Sequence, residues 1–436
     1  MGKTRAKTYA VLAVWIVLTL SLAGCATGKE IAWTQINSSD KELLIWAWDE
    51  NFNIKAANIA AKYYRQQHPD IKIQVVAEEK HDIIRELKNG FETEVYTELP
   101  DIVLIEDYEI QKLLTSYTKE FFAMDHFLDY DLYQEYKTAL VSMNGIHYGV
   151  PFDSGAAVMF YRKDYVEAAG YTEADMQNIT WEKYVEVARR VKEKVGVHML
   201  TVQPDDLGII RIMMQSGGSW YVDRSGKHAD IIDNIPLRNG LEIYKQLINE
   251  DLVVSVEGWD GFTRAFTQGE VATVVSGCWI APSIRENQDQ AGLWRVAAIP
   301  RMEKVKESVN ASNIGGGSWY VLKNKTNYEE AACFLKETFG ENREFMNELV
   351  KEINLVSTRK DARQMPAYEE TEEYFGATNI FDVFLETTEN VPVVNCGVRT
   401  YEIEDILEEE LQIIVKEDDF GESLRKVQIQ AQAIIN

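Results

Sequence analysis

The sequence has none of the short motifs that mark common catalytic, phosphate-binding and metal-binding centres. Its six histidines never stand at H-x-x-x-H spacing, which argues against a zinc protease site. It has no G-x-x-x-x-G-K-[ST] loop, and Gly315-Gly-Gly317 runs into Ser318 and Trp319 without completing G-x-G-x-x-G. G-x-S-x-G is also absent, which argues against a serine hydrolase elbow. We therefore expect no metal ion and no cofactor.

Cysteine is scarce, with four residues in a chain of 436. Cys278, Cys333 and Cys396 are widely spaced and form no C-x-x-C pair, so neither a zinc site nor a disulfide framework is indicated. We expect these three to be buried free thiols. Cys25 stands apart from them, in the N-terminal segment.

Basic residues are also fewer than acidic ones. The chain has 45 lysines and arginines against 70 aspartates and glutamates, a formal charge of −25. Nucleic acid is an unlikely partner, because phosphate binding needs clustered cations. The hydrophobic content of 46% and charged content of 26% are ordinary for a globular protein. The length of 436 residues favours two domains or two lobes.

Long apolar runs are missing after the first 25 residues. Lys3, Arg5 and Lys7 precede the apolar run 10–22, which is too short for a confident membrane span and is typical of a secretory signal. The run ends in Leu22-Ala-Gly-Cys25, which resembles the lipobox of bacterial lipoproteins. That resemblance implies cleavage before Cys25 and lipidation of its thiol. The alternative is a cysteine that falls there by chance.

The lipobox interpretation gives residues 1–24 as a signal peptide and 25–40 as a polar tether. The mature chain would carry 42 basic and 70 acidic side chains, a formal charge of −28. Because no second long apolar run follows, we expect an anchored protein and not a spanning one. Its expected location is the extracellular face of the bacterial cytoplasmic membrane.

Strand and helix patterns alternate from residue 42 onward. Strands are predicted at 43–45, 71–76 and 101–105, with helices at 54–67 and from 82. This alternation predicts an α/β fold with a parallel sheet covered on both faces. The three strands end in Trp48-Asp49, Glu78-Glu79 and Glu106-Asp107, and ligands of such sheets bind beyond the carboxyl ends of the strands.

The second half of the chain continues the pattern. Pro151 and Gly155 bracket a place where the chain could pass from one lobe to another. The further predictions are strands at 156–161, 271–275, 296–300 and 320–322, and helices at 181–194 and 236–249. The C-terminal part, from about Tyr401, is acidic and helical.

Tryptophan is the most distinctive residue of the sequence. Ten are present, and several stand at the ends of predicted elements beside glycine, serine, aspartate or asparagine. A single tryptophan is more often part of a core than of a binding site. An aromatic face can stack on the C–H face of a sugar ring, while carboxylates and amides bind its hydroxyls. Sugar hydrolases share this chemistry, so the pattern alone does not separate binding from cleavage.

Several stretches together resemble the extracellular solute-binding lipoproteins of bacterial ABC transporters, family 1, the carbohydrate-binding group. They are Ile45-Trp-Ala-Trp-Asp49, Leu99-Pro-Asp-Ile-Val-Leu-Ile-Glu-Asp107, Tyr148-Gly-Val-Pro-Phe-Asp-Ser154, Gly218-Ser-Trp-Tyr221 and Gly315 to Tyr320. The resemblance covers essentially the whole mature chain. It implies a periplasmic-binding-protein-like fold with two discontinuous α/β lobes joined by a hinge, with the first lobe at 41–150 and 311–345 and the second at 151–310 and 346–436.

The resemblance also implies which residues bind substrate. These positions are Trp48, Asp49, Asn51, Asn53, Glu106, Asp107, Asp153, Trp220, Trp279, Gly316, Trp319 and Tyr401. Within the first strand region, Trp46 is expected in the core and Trp48 at the ligand.

The family implies a protein that catalyses nothing. It would bind an extracellular carbohydrate, expected to be an oligosaccharide, between its lobes and deliver it to an ABC-transporter permease. A monomer held at the membrane by lipidated Cys25 is expected. Two alternatives stay open at this point: a surface-anchored glycoside hydrolase using a carboxylate pair such as Glu106 and Asp153, and a sugar-sensing partner of a signalling receptor.

Overall fold

The computed structural model describes residues 42–204 and 206–435. The signal peptide 1–24, lipidation of Cys25 and the tether 25–40 therefore lie outside the described residues. None of the helices in the described ranges is long and apolar enough to cross a membrane.

The strands are short. Seven of the twelve strands in the described ranges follow the predicted order with bounds shifted by one to three residues, and the other five were not predicted. The strands are β1 (Glu42–Ala47), β2 (Lys72–Ala77), β3 (Ile102–Glu106), β4 (Ser142–Met143), β5 (Ile146–His147), β6 (Gly149–Pro151), β7 (Ala157–Arg162), β8 (Leu200–Val202), β9 (Val253–Ser255), β10 (Thr273–Gly277), β11 (Trp294–Ala298) and β12 (Gly317–Val321).

The α-helices alternate with the strands in the first half and dominate the C-terminal part. They are α1 (Asn53–Gln67), α2 (Lys80–Thr93), α3 (Asp107–Tyr117), α4 (Glu135–Leu140), α5 (Lys163–Ala168), α6 (Trp181–Val195), α7 (Gly208–Ser216), α8 (Ile235–Asn249), α9 (Gly258–Thr267), α10 (Ala281–Ile284), α11 (Tyr328–Leu335), α12 (Arg343–Ile353), α13 (Ile380–Asn390), α14 (Thr400–Ile414) and α15 (Gly421–Ile435).

Local signals explain where these helices begin and end. The Thr180 side chain accepts a hydrogen bond from the Lys183 amide at 3.2 Å, which caps the start of α6. Gly196 ends the same helix in the left-handed conformation, with φ of 82°. The predicted helix 181–194 is thus confirmed to within one residue.

The first sheet has the order β2-β1-β3-β12-β6. Its first three strands are parallel, as the alternation of strands and helices predicts, but β12 runs antiparallel to both β3 and β6. The predicted parallel pairing is therefore confirmed for the three strands on which it was based, and β12 adds an antiparallel neighbour whose direction was not predicted. Strand β12 enters from a distant part of the chain, so the local sequence pattern carries no information on its direction.

Both faces of the first sheet are covered, because alternate side chains point to opposite sides. Ile45 and Leu104 pack on one side in a core cluster that includes α1 and α12. Trp46 and Val103 pack on the other side with α2 and α3. Trp46 is 5% exposed, so its prediction as a core residue is confirmed.

The second sheet consists of β7 between β10 and β11, both antiparallel to it. Phe160 packs on one side against Phe375 and Phe384, and Met159 and Tyr161 lie in a different cluster with α6. The chain passes between the sheets after β6, within the predicted Pro151–Gly155 region. Bridges Ala156–Asn313 and Asp153–Ser357 bring two further segments alongside this passage.

Candidate functional site

A cavity of about 440 Å³ lies between the carboxyl end of β3, strands β8 and β10, and helices α7, α9 and α14. This volume falls within the range of small-molecule sites, roughly 300–1,000 Å³. Residues of both sheets line the cavity: Glu106 is the last residue of β3 in the first sheet, and Ser276 belongs to β10 in the second. It therefore has the position expected for a ligand held between two lobes.

Aromatic rings form one side of the cavity. We call Trp259, Phe262 and Trp279 the aromatic platform. The Trp259 ring stacks on Phe262, with centroids 5.7 Å apart and planes at 25°. It lies 6.0 Å from the Trp279 ring. Trp259 is 49% exposed and Trp279 is 38% exposed, although large apolar side chains are usually buried. Such exposed aromatic surface in a concave site is suited to contact a ligand.

The position of Trp279 is fixed by the backbone around it. Trp279 lies in a 3₁₀ turn at Cys278–Ile280, directly after β10. Its indole Nε1 donates a hydrogen bond to the Ile314 carbonyl oxygen at 2.9 Å. A Cβ at Gly277 would come within 2.0 Å of that nitrogen, so this position needs glycine. The ring is thus held before any ligand arrives.

Charged and aromatic side chains form another part of the lining, which we call the polar wall: Glu106, Asp206, Arg211, Tyr401 and Glu404. Arg211 donates to Glu404 Oε2 at 2.6 Å and to Asp206 Oδ1 at 3.1 Å. Its guanidinium carbon lies 5.6 Å from the Tyr401 ring centre, within the range of a cation–π interaction. These contacts fix the orientation of Arg211 at the cavity.

Glu404 is the most buried carboxylate of the polar wall. It is 4% exposed and accepts a hydrogen bond from the Tyr221 hydroxyl at 2.9 Å. Burial raises the pKa of Glu404 to about 7, although the neighbouring Arg211 opposes that rise. Because Glu404 is buried and bonded to Arg211, it holds the Arg211 side chain in position.

Glu106 connects the first sheet to the C-terminal helices. Its Oε2 accepts hydrogen bonds from the Tyr401 hydroxyl at 2.7 Å and from Lys80 Nζ at 3.1 Å. Burial, followed by the Glu106 charge, raises the pKa of the Tyr401 hydroxyl well above its usual value. Tyr401 is therefore a neutral hydrogen-bond donor at physiological pH.

Two buried polar atoms of the cavity lining have no hydrogen-bond partner among the described residues. They are Nε of Arg211 and Oγ1 of Thr201, on side chains that are 7% and 5% exposed. Buried donors and acceptors are nearly always paired, because leaving one unpaired costs about 1–3 kcal/mol. Both atoms lie below the surface of the cavity and are unpaired within the described ranges.

Asp107 and Asp153 lie behind the cavity, in a buried group around Lys137. Lys137 Nζ donates to both Asp107 oxygens, at 2.6 and 2.8 Å, and to the Asp153 carbonyl at 2.8 Å. Asp153 Oδ1 accepts from the Gly317 amide at 2.8 Å. A Cβ at Gly316 would come within 2.9 Å of Asp107 Oδ2. The arrangement ties α3 and α4 to the two segments that pass between the sheets.

Three of the twelve predicted site residues line the cavity: Glu106, Trp279 and Tyr401. Trp220 is buried, but its ring packs 5.4 Å from that of Tyr108, which lines the cavity. Trp319 is fully buried between Phe152 and Phe339 in the apolar core. Asp107, Asp153 and Gly316 belong to the group around Lys137.

The four residues predicted near the end of β1 form a local turn. Asn53 Oδ1 accepts from the amides of Trp48 and Asp49, at 3.1 and 3.0 Å. Asp49 Oδ1 accepts from the Asn51 amide at 2.8 Å. These bonds start α1, and Trp48, Asp49, Asn51 and Asn53 are not among the residues that line the 440 Å³ cavity. Their role in ligand binding stays a prediction.

Several residues that line the cavity were not among the site residues predicted from the sequence. They are Lys80, Tyr108, Thr201, Asp206, Arg211, Trp259 and Glu404. The sequence around Trp259 did indicate a possible site residue, because Gly258-Trp-Asp-Gly261 places this tryptophan beside small residues, as with the other tryptophans considered. Glu404 follows Tyr401 by one helical turn and shares its face. The sequence around Arg211 did not indicate a site residue, because its partner Glu404 is 193 positions away.

Within the described ranges, no group of three or more histidine, cysteine, aspartate or glutamate side chains could hold a metal ion. The three described cysteines are free thiols, and Cys278 and Cys396 are buried while Cys333 is partly exposed. The prediction of free thiols is confirmed, and burial holds for two of the three.

Residues 59–376 match the family of bacterial extracellular solute-binding proteins. The lactose-binding protein of Rhizobium radiobacter is 37% identical over 390 residues, covering 89% of this chain and 92% of that protein. The arabinooligosaccharide-binding protein of Halalkalibacterium halodurans is 26% identical over 375 residues, covering 82% of this chain and 81% of that protein. The chain belongs to the bacterial extracellular solute-binding proteins.

Solved structures show the same fold. The sugar-binding protein MalE from Xanthomonas citri has a TM-score of 0.76 at 16% identity, over 91% of this chain and 97% of that one. The galacto-N-biose-/lacto-N-biose I-binding protein from Bifidobacterium longum has a TM-score of 0.72 at 19% identity, over 92% of this chain and 99% of that one. The two-lobed fold and the family predicted from sequence are confirmed. The family consists of binding proteins, so this chain is a binding protein and not a glycoside hydrolase.

Proposed function

We propose that this protein binds an extracellular oligosaccharide in the 440 Å³ cavity and delivers it to an ABC-transporter permease. The observation that carries the proposal is that the aromatic platform and the polar wall line the same cavity. Exposed rings of Trp259 and Trp279 offer apolar stacking, and the carboxylates and Arg211 offer hydrogen bonds to hydroxyl groups. The names of the lactose-, arabinooligosaccharide- and galactooligosaccharide-binding relatives support a neutral sugar of two or more rings.

The proposed mechanism is closure of two lobes around the sugar. The platform comes from the second lobe, whereas Glu106 and Lys80 come from the first. A ligand favours the closed state only through its greater affinity for that state. A sugar that contacts the platform together with Glu106 or Lys80 gives that difference, because the open state would separate these first-lobe side chains from the second lobe.

We propose lobe boundaries near the predicted ones. The first lobe comprises 41–150 and 311–345, and the second comprises 151–310 and 346–436. The pairing of β12 with β3 supports the placement of 311–345 in the first lobe. Phe345 at the start of α12 packs on Tyr63 of α1, with centroids 5.5 Å apart, which favours extending the first lobe through Ile353.

Isothermal titration calorimetry on the chain from residue 26 onward tests the binding proposal. Lactose, arabino-, galacto- and malto-oligosaccharides form the panel, and at least one is expected to bind. Trp259→Ala and Trp279→Ala are each expected to weaken binding by roughly tenfold or more. A tryptophan that packs on a bound ligand contributes about 2 kcal/mol to the free energy of binding. The control is Ile429→Ala, at an exposed site on α15. If no sugar binds, or both tryptophan variants bind like the control, the proposal is wrong.

We further propose that Cys25 carries a lipid that holds a monomeric protein at the extracellular face of the cytoplasmic membrane. Anchoring would raise the effective concentration of the protein at its permease. Fractionation of cells expressing the full chain tests this step. Wild type is expected in the membrane fraction and Cys25→Ala in the soluble fraction. Equal distribution of the two would contradict lipidation at Cys25.

A further inference from the structure

An ion pair joins the two proposed lobes outside the cavity lining. Lys112 on α3 belongs to the first lobe and donates a hydrogen bond to Glu402 on α14, which belongs to the second. The two residues are 290 positions apart in the chain, and both side chains are partly buried. Neither residue lines the cavity, so neither is placed to touch a sugar.

The pair lies at the edge of the cavity. Glu109 on α3 and Asp405 on α14 line the cavity. Each is three positions from a member of the pair, and residues three apart share a helix face. Lys112 and Glu402 therefore continue the lining faces of their helices by one turn. Gln111 lies on a different face of α3 and donates at 2.6 Å to the carbonyl oxygen of the last residue of α4. That other face packs within the first lobe, so the pair is on the cavity side of α3.

The pair is set apart from the segments that join the lobes. Helix α3 begins beside one of them, because the Asp107 amide donates to the Gly316 carbonyl oxygen at 3.1 Å. Lys112 lies five residues further along, about 7.5 Å at the usual rise per residue of an α-helix. In a hinge rotation, a group moves in proportion to its distance from the hinge. Opening of the lobes on the cavity side therefore separates Lys112 from Glu402.

Both charges keep a neighbour of opposite sign when the lobes separate. Glu402 also accepts a hydrogen bond from Arg399 at 2.9 Å, within the second lobe. Lys112 and Lys88 both act on the charge of Glu109, within the first lobe. Burial would raise the pKa of Glu402, but hydrogen bonds from Lys112 and Arg399 lower it below its usual value, so this carboxylate is ionised at neutral pH. The pair therefore contributes as a partly exposed ion pair does, a factor of roughly two to five in an equilibrium constant.

We infer that Lys112 and Glu402 form a closure contact, an ion pair that joins the lobes when they close and so strengthens sugar binding without touching the sugar. The inference rests on the proposed function and adds two residues that position the lobes. Because the pair acts on the closed state, it changes the affinity for every sugar by the same factor. A residue that contacts the sugar would instead change the affinities for different sugars by different factors.

Calorimetry with the sugars of the panel measures the contribution of the pair. Lys112→Met and Glu402→Gln are each expected to weaken binding roughly two- to fivefold, by the same factor for each sugar that binds. The double variant is expected to bind no more weakly than the weaker single variant, because both changes remove one contact. The urea midpoint of the ligand-free Lys112→Met protein is expected to match that of wild type, since the open form does not contain the pair.

The matched control is Lys163→Met. Lys163 is 31% exposed, against 24% for Lys112, and it bonds to Glu173 at 2.6 Å within the second lobe and outside the cavity lining. This variant is expected to bind sugar like wild type.

Three results would overturn the inference while the proposed function stands. In the first, wild type binds a sugar and Lys112→Met binds it as tightly as the control does. In the second, the effects of the two single variants multiply in the double variant or differ from sugar to sugar. In the third, the ligand-free midpoint of Lys112→Met is lowered, which would give the pair a merely structural role. If no sugar of the panel binds to wild type, the proposed function itself fails.

Discussion

Replacing Lys137 by methionine is expected to destabilise the protein by about 3–5 kcal/mol. The Lys137 side chain is fully buried and its ammonium makes bonds at 2.6, 2.8 and 2.8 Å to Asp107 and to the Asp153 carbonyl. Methionine has a similar shape but no charge, so it leaves the buried Asp107 carboxylate without its cation. Burial already raises the pKa of Asp107, and Lys137 opposes that rise. Loss of the lysine therefore favours protonation of Asp107 or unfolding.

Urea denaturation followed by circular dichroism measures this effect as a lower midpoint with an unchanged slope. The double variant Asp107→Asn, Lys137→Met removes the buried charge together with its partner, so it is expected to be more stable than Lys137→Met alone. The control is Lys304→Met, because Lys304 is 66% exposed and 3.4 Å from the likewise exposed Glu242. That change is expected to cost under about 0.5 kcal/mol. A loss below about 1 kcal/mol for Lys137→Met, or a double variant no more stable than it, would contradict the stabilising role assigned to the Lys137–Asp107 pair.

Two other predictions follow from single contacts. Tyr401→Phe removes the hydroxyl that donates to Glu106 at 2.7 Å and is expected to weaken oligosaccharide binding roughly fivefold in calorimetry, from the loss of about 1 kcal/mol. Tyr171→Phe loses a hydroxyl bond to Glu186 outside the cavity lining and is expected to bind normally; equal affinities of the two variants would contradict a role for Tyr401 in the site. In a Cys25→Ala variant, a thiol reagent is expected to modify Cys333 in the native protein and to reach Cys278 and Cys396 only after unfolding, because burial raises the pKa of both thiols. Rapid modification of all three would show that the two buried positions are open to solvent.

The elements were predictable where one stretch of sequence determines them. The apolar strands and amphipathic helices of the first half occur close to their predicted bounds, since hydrophobic periodicity and capping residues act over a few positions. The direction of β12 was not predictable, because pairing between Gly317 and Glu106 joins residues far apart in the chain. The predicted strand at 320–322 also began too late, since the glycines before it suggested a loop although Gly317 is already paired.

The site residues were also predictable only where neighbouring positions in the sequence determine their place in the fold. Glu106 ends the buried strand β3 and Trp279 follows the buried strand β10, and both line the cavity, as ligand residues at strand ends are expected to do. Trp319 also stands beside glycine and serine in the sequence, as the expected site tryptophans do. It lies within β12, however, where pairing with Leu104 and Val150 places it in the sheet. Arg211 is positioned by Glu404 from a separate helix, and such pairs require the fold to be known.

A crystal structure of the chain bound to the tightest-binding sugar of the panel is the sharpest test of the proposed binding site. One sugar ring is expected to lie against Trp259 or Trp279 at about 4 Å, with hydroxyl groups bonded to Arg211, Glu106 or Tyr401. A sugar bound outside this cavity, for example against Trp48 and Asp49 with the aromatic platform still exposed, would contradict it.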